Sequence, residues 1–154
     1  MSSKTKFLEY LGPRNSLTGY MRSYKLIFLI LIFELLNDEG EVKTIEVARH
    51  FKKFYENRKK KGLIPDIDVE PRIENIENST VNQVLSVIKD NPYRAISNKG
   101  FINIDMINGE EYFVLNRELY KEINDSDKEY ILQLLRDKIN LYFRRIDSGM
   151  NSSK

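Results

Sequence analysis

The sequence predicts an α+β fold that is mostly helical, with one β-hairpin in its C-terminal half and a long helix after it. Three observations carry that prediction. Ten of the eleven residues from Leu26 to Leu36 are apolar. A helix that is apolar all round must be sheathed by the rest of its domain. Asn108-Gly109 lies between two strand-like runs, and this pair favours the type I′ turn of a two-residue hairpin. The last third, from Tyr130 to Ile146, repeats apolar residues at helical spacing.

The elements follow in order. Residues 1–20 read as a flexible or loosely docked arm, because Gly12-Pro13-Arg14-Asn15-Ser16 cannot continue a helix; Leu8, Tyr10 and Leu11 are its candidate anchors. Residues 21–147 form a single domain. Its first helix runs from Tyr24 to Leu36 and is stopped by Asn37-Asp38-Glu39-Gly40. The apolar run is too short for a bilayer, which takes roughly 20 residues. Thr44 is an N-cap candidate for a second helix with Val47, Ala48, Phe51, Phe54 and Tyr55 on one stripe, and Gly62 sits just past its end. Residues 63–78, with Pro65, Pro71 and five carboxylates, read as a surface loop. Thr80 and Gln83 make a capping box for a third helix, which Pro92 is expected to end. Strands are expected at 101–105 and 112–115, a short helix at 117–123, and a second capping box at Ser126 and Glu129. Residues 148–154 have the composition of a disordered tail. Three helices followed by a two-stranded wing give a winged-helix-like outline.

The chain has 154 residues, a formal charge of +2 and no cysteine, so disulfides and thiolate metal sites are excluded. No signal-peptide pattern opens it, and the expected location is cytoplasmic, without a membrane partner. The charge is unevenly distributed. Lys4, Lys6, Arg14, Arg22 and Lys25 face only Glu9 in residues 1–25. Lys52, Lys53, Arg58, Lys59, Lys60 and Lys61 crowd the second helix and form a secondary basic surface, while carboxylates gather in 65–78 and 110–129. Such a distribution fits a nucleic-acid face or simply solvated helix faces.

Enzyme chemistry finds little material here. His50 is the one histidine and has no nucleophile pattern beside it. Asp66, Asp68 and Glu70 alternate, but lack the glycine and closing glutamate of a calcium loop. Glu41-Val42-Lys43 precedes Pro65-Asp66, the reverse of a restriction-nuclease order, and no glycine-rich phosphate loop is present. The expectation is a binding protein with no metal, cofactor or catalytic residue.

Two segments stand out. Arg22, Tyr24 and Lys25 open the first helix, whose N-terminus suits a phosphate. Asn91, Pro92, Tyr93, Arg94 and Ala95 combine an apolar ring, a methyl and a guanidinium ahead of the hairpin. Ser23-Tyr24-Lys25 before a Leu/Ile-rich helix, with Asn91-Pro92-x-x-Ala95 before Lys99-Gly100-Phe101, resembles the sulfur-binding domains of modification-dependent restriction enzymes. It equally resembles related modules of restriction helicases and HNH nucleases. The resemblance spans roughly residues 20–146. It implies a DNA-binding module of a restriction or defence system that reads phosphorothioate DNA, with a nuclease or helicase as partner. It also implies that Tyr24 and Lys25 take the place of a backbone-contacting histidine and basic residue. Pro92 and Ala95 match the family's apolar sulfur cup, and Asn91 stands where the family has tyrosine. The two segments are then expected to converge on one backbone-reading pocket. A protein-interaction scaffold and a winged-helix transcription regulator are the alternatives.

Overall fold

A computed structural model describes residues 1–152, with side chains through Ser148. Its centre is the apolar run. Helix α2 spans Tyr24–Leu35 and buries Leu26, Phe28 and Ile32 completely. Each such side chain is worth about 1.5–3 kcal/mol when taken out of water. The sheath comes from the long helix α8, Asp125–Ser152, and from α3, Thr44–Lys60, both of which pack on α2. Helix α3 offers Val47, Ala48, Phe51 and Tyr55, all fully buried, and α8 offers Ile131, Leu134, Leu135 and Ile139. Tyr130 of α8, expected on the inner face, is half exposed instead. No helix among the described residues is long and apolar enough to cross a membrane.

The hairpin is formed by β2, Ile102–Ile107, and β3, Glu110–Leu115. Asn108 and Gly109 have φ of 52° and 80°, the left-handed pair a type I′ turn demands. A third strand, β1, Glu41–Lys43, pairs antiparallel with β3 and sets Val42 opposite Phe113, giving the order β1-β3-β2. Three residues are too few to show alternation, so this strand leaves no periodic trace in the sequence. The Phe113 ring meets Phe28 of α2 edge-on at 5.1 Å, which ties the sheet to the core. Gly40, at φ 77°, admits the approach of the ring of Tyr120, because a Cβ there would lie 2.9 Å from it.

The caps follow from local chemistry, and several differ from expectation. Thr80 and Gln83 form the reciprocal capping box of α5, Val81–Ile88. Gly62 closes α3 with a Schellman pair, in which Leu63 N–H donates to Arg58 O and Gly62 N–H to Lys59 O. Thr44 is the first residue of α3 rather than its cap, and its hydroxyl donates to Glu111 at 2.8 Å. Helix α8 is capped by Asn124 with Asp127, not by Ser126 with Glu129.

Four expectations are corrected outright. The supposed arm holds α1, Ser3–Leu11, with Phe7 and Leu11 fully buried and the Phe7 ring 5.1 Å from Phe101. The supposed loop 63–78 contains α4, Pro71–Glu74, and a 3₁₀ turn, Ile76–Asn78, which bury Ile73 and Ile76. The expected tail continues α8 as far as Ser152, while residues 153–154 lie outside the described residues. Pro92 does not end its helix. The chain widens into a π turn, Lys89–Tyr93, and runs on into α6, Arg94–Ser97. An i→i+5 register moves the proline ring away from the carbonyl four residues back. In that register Val87 O would look to the missing N–H of Pro92, and the Asn91 side-chain amide donates to it instead at 3.3 Å. Helix α7, Arg117–Glu122, falls close to its expected span.

Candidate functional site

The start of α2 and the π turn meet at an open pocket of about 500 Å³. Arg22, Tyr24, Lys25, Asn91, Pro92 and Ala95 line it, six of the eight residues singled out at these two segments. The π turn explains the choice. Positions 91, 92 and 95 share one face of a helical path, whereas 93 and 94 point elsewhere. Tyr93 packs its ring on Phe113 at 5.5 Å, and Arg94 is exposed and pairs loosely with Asp90 at 3.8 Å. Neither lines the pocket. The structure adds Gly19, Tyr20 and Met21 before α2, and Ile67 and Asp68 after α3.

A buried polar cluster fixes the floor. Ser23 donates from its backbone N–H at 2.6 Å and from its hydroxyl at 2.5 Å to Asp66 Oδ2. Tyr55 donates to the Ser23 hydroxyl at 2.6 Å. Tyr142 and the Ile67 N–H donate to Asp66 Oδ1. Asp66 is therefore buried within hydrogen bonds and is not the solvated loop acid its neighbours Asp68 and Glu70 suggested. It also bonds the N-cap residue of α2, so the N-terminal end of that helix is met by a carboxylate rather than left open to a phosphate. Burial pushes the Tyr55 and Tyr142 hydroxyls up, with the Asp66 hydrogen bond adding to the rise at Tyr142. Tyr24 is pushed up to about 12, mainly by burial, and its oxygen accepts the Glu70 N–H at 3.2 Å.

The cationic edge is built differently. Lys25 Nζ donates to Gly19 O at 3.1 Å and stands 5.2 Å from the ring centroids of both Tyr10 and Tyr20. Its ammonium is held below the usual lysine value by partial burial and by the charge of Lys99. Arg22 pairs with Asp68 at 3.3 Å, where Asp68 is almost wholly in solvent, and its guanidinium stands 5.8 Å from the Tyr24 ring centroid. Behind this edge, Lys138 of α8 is fully buried and donates to Pro13 O and Ser16 O. It folds the segment from Gly12 to Ser16 around itself and so helps deliver Gly19 and Tyr20 to the pocket. Tyr20 adds a hydrogen bond to Leu11 O at 2.9 Å.

Half of the secondary basic surface is consumed within the protein. Arg58 is buried, lies 3.7 Å over the Phe143 ring, and bonds Asp147 at 2.8 Å and Ile64 O at 3.0 Å. Lys52 pairs with Glu56 at 3.1 Å, and Lys59 with Glu77 at 2.7 Å. Lys53, Lys60 and Lys61 remain exposed. Arg58 is thus a structural residue and not part of an outer face.

Nothing in the sequence marked Met21 or Ile67, and Asp68 stood out only as one of three alternating acids, because each gains its place at the pocket from the neighbours that folding brings to it. No protein-family model, curated protein or solved structure matches this chain, so the pocket is read from its own residues.

Proposed function

We propose that the chain is a DNA-binding module that reads the sugar–phosphate backbone at this pocket. The observation that supports it is the convergence of two segments, distant in sequence, that set Arg22 and Lys25 beside the apolar Pro92 and Ala95. Cations neutralise a phosphate and release its counterions. The CH groups of a proline ring and a methyl favour a large, weakly hydrated sulfur over a hydrated oxygen. The resemblance to sulfur-binding domains makes phosphorothioate duplex the modified ligand to test first, and a restriction nuclease or helicase the partner class.

The test is titration of matched duplexes, with and without one phosphorothioate, over a range of salt. Lys25→Ala should weaken binding to both and lower the salt slope by about one unit. Ala95→Ser should mainly erode any preference for sulfur, since a hydroxyl suits the oxygen form. Unchanged affinity in folded Lys25→Ala protein would overturn the proposal.

A winged-helix regulator is a second reading, favoured by the order helix, strand, helix, helix, hairpin and by the pairing of β1 with β3. It would send α5 into the major groove. The outward residues of α5 are Asn82, Gln83 and Ser86, and Lys89 just beyond is paired with Glu111 at 2.8 Å. That face is short of arginine and of free charge, so the pocket carries the better case.

A further inference from the structure

We infer that the pocket's occupant is a whole unpaired nucleotide of DNA, with its phosphate at the Arg22–Lys25 edge and its base in the apolar part beside Asn91. This rests on the backbone-reading proposal and names what enters the pocket beyond the phosphate.

Size is the first argument. A sulfur or phosphate oxygen needs space comparable to one water, about 30 Å³ in the liquid. The pocket measures about 500 Å³, within the roughly 300–1,000 Å³ of sites that hold small organic ligands. Most of it would stay empty around a backbone atom alone.

The lining is the second. Tyr20, Tyr24, Pro92 and Ala95 give it an apolar interior. At its mouth Met21 is 88 % exposed and Ile67 is 49 % exposed. Both lie among the large apolar side chains that the fold leaves in water, and they border the same opening. A base offers a flat apolar face to such a rim, and stacking on protein side chains stabilises extruded or single-stranded bases.

Asn91 supplies the third. Its amide nitrogen is committed to Val87 O at 3.3 Å, which fixes the plane of the group. Its Oδ1 has no partner among the described residues and belongs to a residue that lines the pocket. An oriented carboxamide can pair with the edge of an adenine. The opposed charge is Asp68, which holds Arg22 in the free protein and must release it when a phosphate arrives.

The experiment compares three labelled duplexes that differ at one position: fully paired, carrying a single bulged adenosine, and carrying an abasic bulge of the same backbone. The bulged adenosine should bind about tenfold more tightly than the other two, the gain expected of one stacked base. Met21→Ser, at an exposed rim position that the fold does not need, should remove that preference. Asn91→Leu should weaken binding of the bulged adenosine and leave the paired and abasic duplexes unchanged. Equal affinity for the abasic and adenosine bulges would overturn the inference while leaving backbone reading intact. Absence of binding to all three duplexes would overturn both.

Discussion

Two clusters of basic residues look alike in the sequence and differ completely in the folded protein. On α3, Lys52, Arg58 and Lys59 are each bonded to a carboxylate, and Arg58 is also sealed under Phe143. At the pocket edge, Lys25 is satisfied by one carbonyl and two aromatic rings, and Arg22 by one exposed carboxylate and the Tyr24 ring. The first cluster is denser, yet half of its six cations are already paired. The second is sparse, but its charge faces an opening. A count of lysines and arginines therefore does not describe either surface. What separates them is where the cations stand: Lys53, Lys60 and Lys61 lie on an open helix face and its end, Arg22 and Lys25 at a pocket.

The largest test of this contrast is Arg58→Ala. It removes a buried cation and leaves Asp147 and Ile64 O without their partner. Breaking a buried pair costs about 3–5 kcal/mol, and the lower end applies because Asp147 is partly solvated. Urea unfolding should show that loss, while DNA affinity at a temperature where the variant stays folded should be unchanged. A variant of full stability with weakened DNA binding would reverse the comparison and return α3 to the interface.

How far the sequence reaches depends on the range of the interaction. The cap at Thr80, the turn at Asn108-Gly109 and the closure at Gly62 are legible because each is set by neighbours within a few residues. The apolar run at α2 is legible because nothing polar interrupts it before Glu34. The meeting of residues 22–25 with 91–95 was expected from the resemblance, and it is made by α2 packing on the π turn while α5 packs on α3. Arg58 and Asp66 were misread for a single reason. Each looks solvated beside its charged neighbours, and the side chains that bond it, Asp147 for Arg58 and Ser23 and Tyr142 for Asp66, lie 43 or more residues away. Helix α1 was missed because its anchors Phe7 and Leu11 are few, and the Gly-Pro break after them dominates the local pattern.

A second test uses the pocket floor. Tyr24 ionises near 12 in the folded protein against an ordinary value of 10, because burial disfavours the phenolate. The raised value means that this contribution to stability is complete below about pH 10 and is lost as pH climbs from 10 towards 12. Tyr20, Tyr55 and Tyr142 are shifted in the same direction. Lys25 and Lys138, held below the usual lysine value, act in the opposite sense and have finished doing so by about pH 10.5. Tyr24→Phe should therefore make the alkaline fall in the urea midpoint shallower between pH 10 and 12, without abolishing it. An equally steep fall would show that the floor under Tyr24 is wet, unlike the sealed site of Arg58.

The smallest expected effect falls on the one carboxylate at the pocket edge. Asp68 contacts Arg22 at 3.3 Å while remaining almost fully exposed, and its backbone sits at φ 49°. It holds the guanidinium only weakly, since exposed pairs are worth about 0.2–1 kcal/mol. For an incoming phosphate it is a competitor for Arg22 and a like charge. Asn is among the few residues that accept a left-handed backbone, so Asp68→Asn removes the charge while keeping the turn. Releasing Arg22 should raise DNA affinity by about two- to fivefold, the equivalent of one exposed pair, with the gain shrinking as salt screens it. The parallel change on α3, Glu77→Gln, frees Lys59 from its carboxylate in the same way and should leave affinity within twofold. If Glu77→Gln strengthens binding and Asp68→Asn does not, the working cations belong to α3 and the pocket edge is the bystander.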